Sequence, residues 1–200
     1  MKIRPAIPET EGLSARRARV RPEHVIRGIV FHAIERTVAT TLGLDAVAPV
    51  KRSAQVSQPR YDSMIKYPML DFLNFQEAAA DALAPHVGGF DEAIARIGAA
   101  AVDSFFESIA GKTMALLAGR DPSRLLSAVP NGYGLLVSFG RREWKQTSPS
   151  TGIFSFHEEF LGPVHTYGTF DAALRKANQI DARFDLRASS PLDFEFHLSW

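Results

Sequence analysis

The spacing of apolar residues along the chain predicts a helical first part. Apolar side chains recur at intervals of three and four residues over 25–42, 68–84 and 91–111, which is the period of one face of an α-helix. Pro68 stands where the second of these helices begins, and Asp91 can cap the third. The sequence therefore predicts at least three helices before residue 112.

The segments around these helices carry weaker patterns. Residues 44–62 are polar and contain prolines, so they are predicted to be a loop, and residues 114–118 a short apolar helix or turn. Asp121 and the proline after it predict the start of a further helix. Residues 131–139 contain two glycines and fit either a hairpin turn or a helix with two unfavourable residues, and the sequence leaves both open.

The period changes in the last third of the chain. Four segments are strand-like, and the last two alternate strictly between apolar and polar residues; the four are 141–147, 153–160, 183–188 and 192–200. A helical spacing returns over 164–177. Strict alternation is typical of antiparallel strands with one buried and one solvated face. The sequence therefore predicts an α+β fold, with N-terminal helices packed on a C-terminal four-stranded antiparallel sheet of two hairpins separated by a helix.

The first 22 residues are predicted to be a flexible basic tail. Prolines and a glycine interrupt this segment, arginines crowd its end, and chain termini of this kind are usually poorly ordered. An arm that binds nucleic acid or an acidic partner is the alternative interpretation. The remaining residues, 23–200, fit a single α+β domain by their length.

Composition narrows the classes of function. The 200 residues carry a net charge of +1, which argues against nucleic-acid binding and against attraction to a membrane surface. There is no cysteine, so disulfides, thiolate metal sites and cysteine nucleophiles are excluded. No apolar run has the length of a membrane span or the form of a signal peptide, so we expect a cytoplasmic protein. The 14 phenylalanines favour dry packing or an apolar cavity.

A polar cluster near the end of the second predicted strand is a candidate metal site. His157 and Glu159 share one side of a strand because alternate residues do, and His165 follows a few positions later. Two histidines and a carboxylate are a known metal combination, although the same pattern fits an exposed strand end. Because the common nucleotide-binding, hydrolase and metalloprotease motifs are missing, the sequence assigns no catalytic residue.

Four short motifs are distinctive in their order and spacing. They are Arg27-Gly28-Ile29-Val30-Phe31, Tyr67-Pro68-Met69-Leu70-Asp71-Phe72, Gly119-Arg120-Asp121-Pro122 and the closing run from Phe194-Glu195-Phe196 to Trp200. In these motifs the chain resembles, over roughly residues 25–200, an uncharacterised family of about 200 residues that is expanded mainly in myxobacteria and known only as a domain of unknown function.

The layout is also distantly similar to the haem–nitric-oxide-binding domain, the 4-vinyl reductase domain and the TRAPP vesicle-tethering subunits. The haem-binding domain uses a histidine in the helix before the sheet, whereas residues 125–139 here contain none. It also uses a Tyr-x-Ser-x-Arg motif on the sheet, where this chain has Phe154-Ser155-Phe156-His157-Glu158. We therefore expect no haem, and the sequence points to no other cofactor.

The resemblance implies a non-enzymatic sensory or regulatory binding module. In the wider group the interface between helices and sheet can enclose an apolar ligand, and His32, Phe105, Phe156 and Tyr167 are the candidate pocket residues here. The module would hold a small apolar ligand or bind a protein partner. The alternatives are an enzyme with a His/carboxylate site, or a dimerising interaction domain whose terminal strand pairs with a second copy if it lies at a sheet edge.

Overall fold

The computed structural model describes residues 3, 5, 7–56, 58–107, 111–113, 116, 119 and 121–200. Helices dominate the first part of the chain. In chain order they are α1 (Glu9–Arg17), α2 (Gly28–Leu42), a 3-10 turn at Leu44–Ala46, α3 (Val47–Ser53), α4 (Met69–Val87), α5 (Phe90–Glu107) and α6 (Pro122–Leu136). A further helix, α7 (Gly162–Asn178), lies between the strands of the last part.

The strands form two sheets. The smaller sheet pairs β1 (Val25–Arg27) with β2 (Lys66–Pro68) in antiparallel fashion. The larger sheet contains β3 (Arg141–Ser148), β4 (Thr151–His157), β5 (Arg183–Ala188) and β6 (Phe194–Ser199), in the spatial order β3-β4-β6-β5 with every neighbour antiparallel. This confirms the predicted α+β fold with a C-terminal four-stranded antiparallel sheet.

One face of the larger sheet is buried because its strands alternate. In β4 and β6 the alternate residues Phe154, Phe156, Phe194 and Phe196 are all buried. The register places Phe154 opposite Phe196 and Phe156 opposite Phe194, so aromatic side chains form a continuous layer. Helix α7 lies on this layer, and Phe170 packs edge-on against Phe154 with ring centroids 4.8 Å apart.

Helices α5 and α7 cross at direct backbone contact. A Cβ atom on Gly98 of α5 would collide with the carbonyl oxygen of His165, and one on Gly168 of α7 would collide with the carbonyl oxygen of Ala95. Only glycine permits such an approach without displacement of a backbone. The small residue at this position of α5 therefore permits a close helix–helix contact.

The structure differs from the prediction at several segment boundaries. The first long helix begins at Gly28, because Val25–Arg27 pair with β2 as a strand. The predicted loop over 44–62 contains α3, in which Pro49 lies in the first turn, where a missing N–H is tolerated. Of the two alternatives for 131–139, the helix is found, and it extends to Leu136. The predicted element at 114–118 lies largely outside the described residues.

The N-terminal segment also differs from the prediction of a tail. Residues Glu9–Arg17 form α1, in which Glu9, Leu13 and Arg16 are buried. Arg16 donates a hydrogen bond to Glu9 within the same helix, so two charges that look solvated in the sequence neutralise each other inside the protein. No helix in the described part of the chain has the length and apolar character needed to cross a membrane.

Candidate functional site

A cavity of about 90 Å³ lies among four helices, α2, α5, α6 and α7. Its walls are mainly aliphatic and aromatic, and the largest contributions come from α5 and α6: Ala101, Val102, Phe105, Phe106, Leu125, Leu126, Val129 and Leu136. Ile29 and Val30 of α2 close one side, and Phe170, Ala173 and Leu174 of α7 close another. The cavity is smaller than the roughly 300 Å³ at which drug-sized ligand pockets begin.

The cavity does not lie where the sequence predicts a ligand. Among the described residues, none of those that line it belongs to β3, β4, β5 or β6. The interface between α7 and the sheet is instead filled by phenylalanine rings, such as Phe170 against Phe154 and Phe156. The open space is therefore found on the side of α7 that faces the other helices.

Three of the lining residues carry polar side-chain atoms: Tyr133 on α6, and His165 and Thr169 on α7. The Thr169 hydroxyl already donates to backbone, since it lies 3.1 Å from the carbonyl oxygens of Gly98 and His165. Tyr133 is buried, and burial raises the pKa of its hydroxyl above the ordinary value. This hydroxyl therefore stays protonated at any physiological pH.

His165 is a second buried polar residue of the site. Only 1% of its surface is exposed, its ring lies edge-on to Phe72 with centroids 5.8 Å apart, and its Nδ1 has no hydrogen-bond partner among the described residues. Burial, assisted by the positive charge of Arg16, lowers the pKa of His165 to about 3. The imidazole is therefore neutral, and one of its nitrogens is unsatisfied.

A buried ion pair lies next to Tyr133. Nε of Arg142, on β3, donates a 2.8 Å hydrogen bond to the carboxylate of Glu159, and the two side chains are 4% and 0% exposed. The guanidinium also stacks over the ring of Tyr133, 4.5 Å from its centroid. The stacking holds Tyr133, and with it one side of α6, against the sheet. The charge of Arg142 is already neutralised by Glu159.

The structure does not bring together the three predicted metal ligands. His157 is exposed at the end of β4, with Nδ1 3.7 Å from Oδ1 of Asp193. Glu159 is bound to Arg142, and His165 lies at the helical cavity. The strand ends at His157 and Glu158 takes a positive φ of 55°, so alternation does not extend to Glu159. The described residues contain no group of three His, Cys, Asp or Glu arranged to hold a metal ion.

Of the four predicted pocket residues, Phe105 lines the cavity. His32 lies elsewhere and donates from Nε2 to the carbonyl oxygen of Tyr61 at 2.9 Å. Phe156 stacks on Phe194 within the sheet layer, and Tyr167 packs edge-on against Phe184. His165 was predicted as a metal ligand and not as a pocket residue. The signal for its burial is the helical spacing of apolar residues around it in α7.

The fold is shared with solved structures of haem–nitric-oxide-binding (H-NOX) proteins. The Fe(II)NO form of an H-NOX protein from S. oneidensis superposes with a TM-score of 0.70 at 11% identity, covering 87% of this chain and 98% of that one. The Fe(II) unliganded H-NOX protein from K. algicida gives 0.68 at 14% identity, with 87% and 96% covered. An oxygen-binding H-NOX domain related to soluble guanylate cyclases gives 0.63 at 11% identity, with 86% and 93% covered.

Sequence comparison supplies the family. No curated protein matches the chain at a significant level. One family model matches residues 19–200, which includes every described element except α1. The chain belongs to the family described as Protein of unknown function (DUF2378).

Proposed function

We propose that this protein is a non-enzymatic sensory or regulatory module that binds a small apolar ligand in the cavity among α2, α5, α6 and α7. The observation that carries the proposal is the cavity itself, which is lined mainly by apolar side chains. Apolar surface that is removed from water contributes about 25 cal/mol for each Å² buried. A ligand that fills the space would gain this free energy.

The H-NOX relatives support the proposal by analogy of fold. One of them is an oxygen complex of an oxygen-binding domain, and another carries NO on Fe(II). Function resides in sites rather than in folds, so the analogy supports a small ligand but does not identify it.

The residues at the cavity do not fit a haem. A volume of about 90 Å³ is below the roughly 150 Å³ that holds a single benzene ring in an engineered cavity, whereas a haem contains four pyrrole rings. The backbone contact between α5 and α7 prevents enlargement on that side. Arg142, the buried arginine nearest to Tyr133, is already paired with Glu159. We therefore propose that the ligand contacts the protein itself and is not held by a haem.

The alternative functions receive less support from the geometry. A dimer formed through the terminal strand requires that strand at a sheet edge, but β6 lies between β4 and β5. An enzyme that uses His157, Glu159 and His165 requires convergence, and these residues occupy different environments.

We also propose that residues 23–200 form a single domain and that α1 is part of the same folded unit.

Xenon binding tests the proposal, because xenon enters dry apolar cavities without any polar contact. We expect xenon to shift the NMR signals of Val129, Leu126 and Ala173 in the purified protein and to raise its thermal stability. Ala173→Leu should abolish both effects, since it places three further carbon atoms in the cavity. Ala172→Leu, next to it on α7 but not among the lining residues, is the matched control and should retain them.

A ligand retained from the cell would appear in native mass spectrometry or in an organic extract of the purified protein. It should be present in the wild type and in Ala172→Leu and absent from Ala173→Leu. If xenon leaves the lining residues unperturbed in the wild type, the cavity does not bind apolar molecules and the proposal is wrong.

A further inference from the structure

We propose that the β1–β2 ribbon and the turn before β2 form a docking surface for an acidic segment of a partner protein. Carboxylates of that segment would pair with Arg27 and Lys66, and its apolar side chains would cover Met64 and Ile65. The inference goes beyond the proposed function, because none of these four residues is among those that line the helical cavity.

Two neighbouring apolar side chains are exposed in the turn that leads into β2. Met64 is 69% exposed and Ile65 is 54% exposed. Among the residues that the structure describes, no other two large apolar side chains that follow each other in the sequence are both exposed. Single exposed apolar residues are normal on protein surfaces, whereas contiguous ones indicate an interaction site.

The ribbon beside this turn is basic. Arg27, which is partly exposed, and Lys66, which is exposed, are paired in register. The Gly28 N–H donates to the carbonyl oxygen of Ile65 at 2.9 Å, so the adjacent Arg27–Lys66 pair is of the non-hydrogen-bonded kind, in which side chains lie closer. Like charges placed in this way repel each other, and neither residue has an ion-pair partner among the described residues. Carboxylates from a partner would relieve the repulsion.

The basic and apolar side chains are in contact. Nη1 of Arg27 donates to Sδ of Met64 at 3.9 Å, and a thioether is a weak acceptor, so the guanidinium retains capacity for a carboxylate. Asp62 is the acidic residue of the same turn, and its Oδ1 accepts a 2.8 Å hydrogen bond from the backbone N–H of Met64. That carboxylate therefore stabilises the turn, and the two cations remain without a counter-charge in the described part of the chain.

Hydrogen bonds and close packing fix the conformation of the turn. The backbone N–H of Asp62 donates to the hydroxyl of Tyr67 at 2.8 Å, and the N–H of Ile65 donates to the carbonyl oxygen of Asp62 at 3.3 Å. A Cβ atom on Gly28 would lie 2.0 Å from that carbonyl oxygen, so the turn packs directly on the start of α2. A surface that is ordered before binding loses little conformational entropy when a partner binds.

The number of charges favours a protein partner over a membrane. Basic segments that bind anionic membranes carry about four to eight Lys or Arg residues, whereas two are paired here and the whole chain has a net charge of +1. A second copy of the chain docked through the same surface would bring like charges together. Apolar contacts flanked by charged ones are typical of protein–protein interfaces. These features together fit an acidic segment of another protein.

The test uses a short synthetic peptide in which aspartate and leucine alternate. Peptides in which asparagine or lysine replaces the aspartate keep the same apolar residues and are the controls for charge. Binding to the full chain is followed by NMR titration. We expect the aspartate peptide to shift the signals of Met64, Ile65 and Lys66. It should bind about threefold to tenfold more tightly than the asparagine peptide, as two exposed ion pairs allow, and the lysine peptide should not bind.

Substitutions at exposed positions separate the charged from the apolar contribution. Lys66→Glu places a carboxylate opposite Arg27 and should remove the preference for the aspartate peptide, whereas Lys145→Glu, at an exposed lysine of β3, should preserve it. Met64→Ser should weaken the aspartate and the asparagine peptides alike. Leu44→Ser, at a residue that is 81% exposed beyond the other end of α2, should leave both unchanged. Exposed substitutions of this kind change stability little, so the variants should fold.

Three results would overturn the inference. The first is an aspartate peptide with no advantage over the asparagine peptide, or equal effects of Lys66→Glu and Lys145→Glu. The second is binding of phosphatidylserine vesicles that Lys66→Glu abolishes, which would assign the surface to a membrane. The third is a shift of the Met64 and Ile65 signals with protein concentration alone, which would assign it to a second copy of the chain. None of these results bears on the binding of xenon in the cavity.

Discussion

Arg142 and Glu159 form a buried ion pair that holds the corner between the sheet and α7. Nε of Arg142 donates to Oε2 of Glu159 at 2.8 Å, while Nη1 donates to the carbonyl oxygen of Phe139 at 2.9 Å. The other carboxylate oxygen of Glu159 accepts a 3.0 Å hydrogen bond from the backbone N–H of Leu161, at the start of α7. One side-chain pair thereby joins β3, the segment between α6 and β3, and the beginning of α7.

Glu159→Gln should destabilise the protein by about 3–5 kcal/mol, because it leaves the charge of Arg142 buried without a counter-charge. Urea unfolding followed by circular dichroism measures the change. Glu158→Gln is the matched control, since this neighbour is exposed and its ion pair with Arg21 spans 3.3 Å at the surface. Exposed pairs contribute at most about 1 kcal/mol, so equal effects of the two variants would contradict the assigned role of Glu159.

The pH dependence of stability should change when His165 is replaced. Its pKa is about 3 in the folded protein against 6.5 ordinarily, so the unfolded state binds the proton and the folded state does not between those values. Stability is therefore lost as pH falls below about 6.5, by up to roughly 1.4 kcal/mol for each pH unit, and this contribution ends near pH 3. His165→Phe should remove that loss, which urea midpoints of both proteins at several pH values will show. Parallel curves would mean that the pKa of His165 is not lowered in the folded protein.

Gly98→Ala should be destabilising by roughly 1–3 kcal/mol, because the added methyl group meets the carbonyl oxygen of His165 and forces α5 and α7 apart. Gly134→Ala in α6 is the contrasting substitution. Apart from its own helix, no atom of the described residues lies within 4 Å of the Cβ position there, and alanine favours the helix by roughly 0.5–1 kcal/mol. The melting temperature should fall for the first variant and rise for the second, and an unchanged or higher melting temperature for Gly98→Ala would contradict the close crossing.

Leu13→Ala tests whether α1 belongs to the folded domain. Leu13 is 0% exposed, so its truncation should cost about 2–5 kcal/mol of unfolding free energy. Ser14→Ala, at an exposed position of the same helix, should change it by less than about 0.5 kcal/mol. If the leucine variant is as stable as the wild type in urea, the segment is a tail, as its composition predicts.

The elements with a regular period were predictable from the sequence, and the short or charged ones were not. The alternation of Phe194, Phe196 and Leu198 identifies β6, since period two requires a strand with one buried face. The strand at Val25–Arg27 has three residues, too few for any period, and its partner is about 40 positions away. Helix α1 was missed because Arg16 appears solvated unless its pairing with Glu9 is known.

The cavity could not be predicted because no local pattern encodes it. Ile29, Phe105, Val129 and Ala173 come from four helices that are far apart in the sequence, and each looks like an ordinary core position in its own helix. His165 was visible as a candidate ligand, but its grouping with His157 and Glu159 assumed that the strand continues to Glu159, whereas the strand ends at His157. An empty space depends on how helices pack, which periodicity does not report.

The glycine crossing of α5 and α7 gives the cavity one rigid wall. Because these two backbones are in contact at Gly98 and Gly168, an entering molecule cannot separate them without breaking the Thr169 hydrogen bond to Gly98. Helix α6, opposite, has an exposed outer side and is joined to β3 by Ser123 Oγ and Gln146 Oε1 at 2.7 Å. The α5–α7 side of the cavity would therefore keep its shape around a bound molecule, and any adjustment would have to come from the other helices.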